Sequence, residues 1–134
     1  MLFVIDANVL FAALLNPKGM TGNLLFSPKL EFFSPEFLEE ELQKYFSTMV
    51  QKSGRSEAEV KIVLDLILSR IKIFPASEYE RYRTKAKDFS PDPNDVEYFA
   101  LALKLECSLW SNDKRLKGQR EVKVFSTSEM LTLF

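Results

Sequence analysis

Residues 1–10 read MLFVIDANVL, and they give the clearest indication of the fold of the chain. Residues 2–5 form an unbroken apolar run, which is too short to cross a membrane and is typical of a strand buried in a parallel sheet. Residues 9–15 continue apolar at helical length, so a helix is expected to follow. Asp6 is therefore predicted at the carboxyl end of a strand, where open α/β sheets bind their ligands. The question for function is which other side chains gather around this carboxylate.

The alternation of strand and helix patterns continues along the chain. It predicts a three-layer α/β/α sandwich with a central parallel sheet of about five strands. Residues 1–134 are interpreted as a single domain, because no repeat, low-complexity segment or linker interrupts the pattern. The expected strands cover residues 2–5, 30–33, 71–74, 107–110 and 122–125.

Local signals predict where several helices begin. Ser34 and Pro35 are expected to be the N-cap and the first residue of a helix. Other signals are capping boxes at Ser56 with Glu59 and at Ser126 with Glu129, and a polar helix over residues 78–87.

Composition limits the classes of protein to consider. The chain is 46% hydrophobic and 28% charged, which is typical of a globular protein. Its 18 Lys and Arg residues balance 19 Asp and Glu residues, so the net charge of −1 predicts no general attraction to nucleic acid. No apolar run is long enough to cross a membrane, and no signal peptide is expected. With Cys107 as the only cysteine, a cytoplasmic protein is predicted.

The chain contains no histidine, which removes many catalytic arrangements. Ser-His-Asp and Cys-His catalysis are excluded, and so is a zinc site built on histidine. A single cysteine cannot form a thiolate zinc site either. The chemistry must therefore use carboxylates, hydroxyls, amines or a bound ion.

Acidic side chains occur at positions that can meet at one edge of the sheet. Asp6 ends the first strand, Asp113 ends a later strand, and Asp95 lies in the first turn of a helix. Glu41 borders the apolar stripe of its own helix. Its neighbour Glu40 lies nearer the opposite side and remains the alternative for the acid on this helix.

Each of these acids alone could simply cap a helix or favour its dipole. Clustered carboxylates, however, repel each other and raise one another's pKa unless a cation compensates their charge. Mg²⁺ prefers oxygen ligands and Mn²⁺ accepts similar ones. Asp6, Glu41, Asp95 and Asp113 are therefore predicted to bind Mg²⁺ or Mn²⁺, which can activate water and stabilise charge on a phosphodiester.

Four segments carry a family resemblance: FVIDANVL (3–10), SPEFLEEEL (34–42), DPNDVEYFALAL (92–103) and LWSNDKRL (109–116). In this order they resemble the four acidic motifs of the PIN domain, over nearly the whole chain. The resemblance implies an α/β/α fold and Mg²⁺- or Mn²⁺-dependent cleavage of RNA. Small members similar to VapC toxins are endoribonucleases paired with an antitoxin, and many form homodimers. An antitoxin partner and a homodimer are therefore implied as well.

The resemblance also implies roles for single residues. Asp6, Glu41, Asp95 and Asp113 match the family's acidic positions, and Asn8 matches a polar position two residues after the first. Asn8 and Ser111 are candidates to hold the acids in place.

The last motif departs from the family pattern. Some members carry another acid shortly after the last aspartate, whereas Lys114 and Arg115 follow Asp113 here. This departure favours one tightly held ion rather than two.

Basic and aromatic side chains are candidates for holding RNA. A charge run is often an ordinary solvated surface, but next to an acidic cleft it can hold phosphates. Two basic clusters qualify: Lys114, Arg115, Lys117, Arg120 and Lys123, and then Arg81, Arg83, Lys85 and Lys87. Possible base-stacking residues are Phe32, Phe33, Tyr79, Tyr82 and Trp110, most of which are expected in the core, while Phe11 and Met20 are candidates for a dimer interface.

The leading interpretation is a metal-dependent endoribonuclease that cleaves single-stranded or structured RNA. The resemblance makes it a candidate toxin of a type II toxin–antitoxin pair. In this interpretation Asp6, Asp95 and Asp113 bind the ion, and Glu41 orients or deprotonates the attacking water. The alternative is a non-catalytic module of the same fold that binds RNA or protein. The four acids argue against it, because a phosphate binder gains nothing from a negative pocket.

Overall fold

The structure is a computed structural model that describes residues 1–133. Its five strands are β1 (Leu2–Ile5), β2 (Glu31–Pro35), β3 (Ile71–Phe74), β4 (Ser108–Trp110) and β5 (Val124–Phe125). All neighbouring strands run parallel, in the order β3-β2-β1-β4-β5. The helices are α1 (Ala7–Leu15), α2 (Met20–Leu25), α3 (Phe37–Ser53), α4 (Glu57–Leu68), α5 (Ala76–Tyr79), α6 (Arg83–Phe89), α7 (Val96–Leu105) and α8 (Thr127–Leu133).

Strand β1 lies at the centre of the sheet, and both of its faces are buried. Val4 pairs with Phe33 of β2 on one side and with Leu109 of β4 on the other. Phe3 and Ile5 point into one apolar core, whereas Val4 points into the other. An apolar run without polar alternation is what this position requires.

The helices form a layer on each face of the sheet. Helices α1, α2, α3, α4 and α8 supply side chains to the core that contains Phe3 and Ile5. Helices α5, α6 and α7 supply the core that contains Val4. The predicted α/β/α sandwich with a parallel sheet of five strands is thus confirmed. Within residues 1–133, no helix is both long and apolar enough to cross a membrane.

The predicted start of α3 is wrong. Ser34 and Pro35 belong to β2, where they pair with Ile73 and Phe74 of β3. The Ser34 side chain is fully buried, and its hydroxyl donates to the Ile5 carbonyl oxygen at 3.0 Å. This contact between adjacent strands outweighs the capping preference of serine, so the helix begins later, without a side-chain cap.

The predicted helix over residues 78–87 is interrupted. The structure has α5, a 3₁₀ turn over Glu80–Tyr82, and then α6. Tyr79 leaves helical geometry with φ of −121° and ψ of 4°, and its side chain is fully buried in the core. A polar amphipathic pattern does not reveal this aromatic anchor.

The two predicted capping boxes are confirmed. Ser56 and Glu59 form a reciprocal capping box at the start of α4. Ser126 and Glu129 exchange the same two contacts before α8, at 3.2 and 3.0 Å. Gly54, with φ of +68°, ends α3 in the left-handed conformation that glycine adopts most readily.

We expect Ser34→Ala to lower the free energy of unfolding by about 1 kcal/mol, because the bond between β1 and β2 is lost. Urea denaturation measures the change. Ser47→Ala is the matched control, since Ser47 is exposed on α3, and it should stay within about 0.5 kcal/mol of the parent. Equal destabilisation by both variants would contradict the role assigned to the Ser34 hydroxyl.

Candidate functional site

A cleft of about 480 Å³ opens beyond the carboxyl ends of β1 and β4. The order of the sheet reverses between these strands, since β2 and β3 lie on one side of β1 and β4 and β5 on the other. The connections after β1 and β4 leave in opposite directions, and in open α/β sheets this reversal creates a ligand-binding crevice. The walls of the cleft come from α1, α3, the turn before α7 and the segment after β4.

Asp6 follows β1 directly and is only 5% exposed. Its Oδ1 accepts a hydrogen bond from the Val9 amide at 3.1 Å and so caps α1. Burial raises the pKa of Asp6 to about 7, opposed by contacts with Ser111 and Val9 and reinforced by the charges of Asp95 and Glu41. Near neutral pH, this carboxyl therefore requires either a proton or a nearby cation.

Glu41 lies on α3 and lines the cleft, whereas Glu40 is exposed and lies outside the cleft lining. The hydroxyl of Tyr98, on α7, donates a hydrogen bond to Glu41 Oε1. Partial burial raises the pKa of Glu41, and the hydrogen bond from Tyr98 opposes this rise. Of the two alternatives on this helix, Glu41 is the acid that the structure brings to the cleft.

Asp95 ends a 3₁₀ turn over Pro93–Asp95 and precedes α7, but its side chain does not cap the helix. Its Oδ2 is buried and has no hydrogen-bond partner among the described residues. Burial raises the pKa of Asp95 to about 6, and the charges of Asp92 and Asp113 contribute to the rise. A buried carboxylate oxygen without a donor is uncommon, so this atom is a candidate ligand for a cation.

Asp113 differs from the other acids because a basic side chain already contacts it. Arg115 Nε reaches Asp113 Oδ1 at 3.1 Å, and Nη2 reaches Oδ2 at 2.8 Å. The Arg115 amide also donates to Oδ1, at 3.0 Å. Hydrogen bonds from Arg115 hold the pKa of Asp113 below its usual range. The guanidinium extends further to Asp92 Oδ2, at 3.5 Å.

The two candidate supporting residues also lie at this edge of the sheet. Asn8 lines the cleft from the first turn of α1. Ser111 follows β4, is 1% exposed, and accepts a hydrogen bond from the Asp113 amide at 3.1 Å. Ser111 also lies close enough to Asp6 to oppose the rise in the pKa of that carboxyl.

The side chains at this edge of the sheet carry the kind of ligand atom, carboxylate oxygen, that a hard divalent cation prefers. Asp6, Glu41 and Asp95 offer carboxylate oxygens, and burial raises the pKa of all three. Among residues 1–133, however, no three metal-ligating side chains are already close enough together to hold an ion. Binding would therefore require these side chains to turn towards one another.

The predicted basic clusters divide between the cleft and other surfaces. Arg115 lines the cleft. Lys117 instead pairs with Glu129, and Arg83 pairs with Glu97 at 2.8 Å. The remaining members, Arg81, Lys85, Lys87, Lys114, Arg120 and Lys123, also lie outside the cleft lining.

The predicted base-stacking residues are mainly core residues, as expected. Phe32, Tyr79 and Trp110 are buried. Phe33 and Tyr82 are half-buried and pack against the core that contains Val4. These side chains hold the sheet and helices together, and none of them lines the cleft.

Sequence reasoning missed three residues of the site, namely Asp92, Tyr98 and Lys52. Tyr98 follows Asp95 by about one helical turn and contacts Glu41. Lys52 follows Glu41 by about three turns of α3 and lines the same cleft. Helical periodicity counted from the predicted acids could therefore have found both. Asp92 lines the cleft as well, but the residues around it in the sequence indicated only a turn.

The fold and the site together define a parallel α/β protein with an acidic cleft at the point where the strand order reverses. A sequence model of the family described as PIN domain matches residues 4–133. Because the match covers nearly the whole chain, the protein belongs to the PIN-domain family.

Solved structures share the fold at low sequence identity. VapBC2 from Rickettsia felis, bound to a DNA fragment from their promoter, matches with a TM-score of 0.68 and 20% identity over 94% of this chain and 98% of that chain. VapBC-1 from nontypeable Haemophilus influenzae matches with a TM-score of 0.68 and 14% identity, over 96% of this chain and 99% of that chain. PAE2754 from Pyrobaculum aerophilum matches with a TM-score of 0.65 and 15% identity, over 98% of this chain and 87% of that chain. No curated protein matches the sequence significantly.

Proposed function

We propose that this protein is a Mg²⁺- or Mn²⁺-dependent endoribonuclease that cleaves single-stranded or structured RNA. One observation carries the proposal: Asp6, Glu41 and Asp95 come from distant parts of the chain, and burial raises the pKa of all three. The charge of Glu41 contributes to the rise at both Asp6 and Asp95. Such a group favours a divalent cation near neutral pH. Membership of the PIN-domain family supports the same activity.

In this proposal Asp6 and Asp95 hold the ion, directly or through water. Asp95 contributes its unpartnered Oδ2. Asp113 acts through water from the other side of the cleft, since Arg115 already contacts both of its carboxylate oxygens. When bound, the ion supplies an activated water and stabilises negative charge on the phosphodiester. Asn8 and Ser111 hold the surrounding groups in place.

Glu41 orients or deprotonates the attacking water. Burial raises the pKa of Glu41 towards neutral pH, and a general base works best when its pKa is near the pH of the reaction. Tyr98 donates to Oε1 of Glu41, leaving the second carboxylate oxygen for water. The Tyr98 side chain is itself buried in the core, so it holds the carboxylate in one orientation.

The basic residues of the cleft would hold the RNA backbone. Lys52, on α3, and Arg115, after β4, both line the cleft. Their charges attract phosphates without reading bases, and binding should therefore weaken with salt.

The direct test incubates the purified protein with an RNA that contains both stems and single-stranded loops. Cleavage should require Mg²⁺ or Mn²⁺ and should stop when EDTA removes the ion. If the protein neither cleaves RNA nor binds Mn²⁺ at millimolar concentration, the proposal fails and the non-catalytic binding module becomes the better interpretation.

We expect Tyr98→Phe to lower the cleavage rate by about tenfold, because a hydrogen bond to a charged group is lost. The hydrogen bond from Tyr98 favours ionised Glu41, so its loss should also move the acid limb of the pH–rate profile to higher pH. Phenylalanine preserves the buried ring, and circular dichroism checks the fold. An unchanged rate and profile would contradict the role assigned to Tyr98.

We also propose that the protein is the toxin of a type II toxin–antitoxin pair, acts in the cytoplasm and has an antitoxin partner. Two similar structures contain VapBC proteins, one of them with promoter DNA. The test is co-expression with the product of a neighbouring small reading frame, followed by size-exclusion chromatography and a cleavage assay. Formation of a complex without cleavage would support the pair.

A homodimer is proposed through the surface around Met20, which is 62% exposed.

A further inference from the structure

Arg115 is the basic side chain of the cleft lining that also contacts acids of the cleft. It lies in the 3₁₀ turn Lys114–Lys117, directly after Asp113. Its guanidinium contacts both carboxylate oxygens of Asp113, at 2.8 and 3.1 Å, and reaches Asp92 at 3.5 Å. A cationic group therefore joins two acids on one side of the cleft.

The other side of the cleft lacks such a contact. Asp95 Oδ2 is buried without a hydrogen-bond partner among residues 1–133. Glu41 receives a hydrogen bond only from the neutral Tyr98 hydroxyl within the same part of the chain. The acids thus divide into a pair that the Arg115 guanidinium contacts directly and a group that no cationic side chain contacts among residues 1–133.

The geometry of Asp113 makes it a poor direct ligand while Arg115 is in place. A carboxylate with two oxygens has about four acceptor positions. The guanidinium and the Arg115 amide occupy three of them, two on Oδ1 and one on Oδ2. A metal ion approaching Asp113 would meet the positive guanidinium within a few ångströms, where repulsion is strong.

We propose that Arg115 takes the place of one divalent ion at Asp92 and Asp113, so that the cleft holds a single ion among Asp6, Glu41 and Asp95. The inference rests on the proposed metal-dependent function and deepens it, since it specifies how many ions the site takes and why. A guanidinium suits this position because it spans carboxylates in a planar, bidentate arrangement.

Arg115 can also contact the RNA from this position. A guanidinium has five N–H donors, and the contacts to Asp92 and Asp113 use three of them. The side chain is 68% exposed, so the remaining donors face solvent. They can bind a phosphate oxygen, which supplies part of the charge stabilisation that a second ion provides in two-metal sites.

The test counts bound ions rather than products. Isothermal titration of the whole protein with Mn²⁺ at neutral pH should give one ion for the parent and two for Arg115→Gln. Lys114→Gln is the matched control, because it removes the same charge from the same turn at an exposed residue outside the cleft lining. It should still bind one ion. Adding Asp113→Asn to Arg115→Gln should return the count to one.

The outcomes separate this inference from the proposed function. One ion in both the parent and Arg115→Gln, or two in the parent, overturns the role of Arg115 and leaves the metal-dependent function standing. A second ion in Lys114→Gln also overturns it, because the effect would then be general. No ion in the parent contradicts both, whether or not Arg115→Gln binds one.

Discussion

Asp6→Asn and Asp95→Asn are each expected to lower metal-dependent RNA cleavage by about 10²- to 10³-fold. Each substitution removes a negative charge from the group that favours the ion, and a bound ion contributes several kcal/mol of charge stabilisation to phosphodiester cleavage. Initial rates at saturating Mn²⁺ measure the change. Titration with Mn²⁺ should show weaker binding in parallel.

Asp6→Asn can be interpreted clearly because asparagine is also a good N-cap. It can still accept the hydrogen bond that Asp6 takes from the Val9 amide, so the start of α1 is preserved. Asp88→Asn is the matched control, since Asp88 is exposed on α6 and outside the cleft lining. If Asp6→Asn and Asp95→Asn cleave RNA as fast as Asp88→Asn, the assignment of the metal site is wrong.

Without divalent ions, the protein is expected to become less stable as the pH rises from about 4 to about 7. The pKa of Asp6 is about 7 in the folded state, against an ordinary value of 3.8. Within that interval the folded state binds more protons than the unfolded state, so the free energy of unfolding falls with pH. Each unit of pKa corresponds to roughly 1.4 kcal/mol, so the loss is on the order of 4 kcal/mol. Asp95 acts in the same direction up to about pH 6.

Ion pairs elsewhere do not reverse this trend. Lys117 lowers the pKa of Glu129 to about 2 from an ordinary value of 4.5. Its stabilising effect is therefore complete above about pH 4.5 and is lost only as the pH falls below that value. The two effects act in different pH intervals, and the metal-free protein should be most stable near pH 4 to 5.

Mg²⁺ should reverse the loss at high pH because it favours the ionised carboxylates. Urea denaturation at pH 5 and pH 8, with and without Mg²⁺, measures this coupling. We expect a large gain in stability from Mg²⁺ at pH 8 and little gain at pH 5. Asp6→Asn should be more stable than the parent at pH 8 without metal, and less dependent on Mg²⁺. Stability that rises from pH 5 to pH 8 in the absence of metal would contradict the expected burial of Asp6.

Asp6→Asn should therefore lower the cleavage rate strongly and at the same time stabilise the metal-free fold. This combination is expected where a buried charge is kept for function, because the fold carries the cost of desolvating it. A purely structural role for Asp6 would give the opposite result, with Asp6→Asn either neutral or destabilising at every pH.

Much of the site could be predicted because its positions follow from local patterns. Asp6 ends an apolar run that must be a buried strand, and a strand end is enough to place it at the binding edge. Glu41 could be distinguished from Glu40 by its position relative to the apolar stripe of one helix. The structure brings both to the predicted edge, where Asp95 contributes to the raised pKa of Asp6 and Glu41 contributes to that of Asp95.

Other features could not be predicted because they depend on partners distant in sequence. Ser34 has the properties of an N-cap, but the fold uses its hydroxyl to join β2 to the Ile5 carbonyl. Tyr79 interrupts a polar helix because its side chain is buried in the core. Arg115 appeared to be one of several surface cations, and only its contacts with Asp92 and Asp113 distinguish it from Lys114.

The layered α/β/α architecture, the acids at strand and helix ends and the exclusion of histidine-based chemistry all follow from the amino-acid sequence. These features depend on periodicity and composition, which are local properties of a chain. The pKa of each acid depends instead on tertiary packing, because burial and neighbouring charges are set by how distant segments come together. That packing leaves Asp95 Oδ2 without a partner and places the Arg115 guanidinium on Asp113.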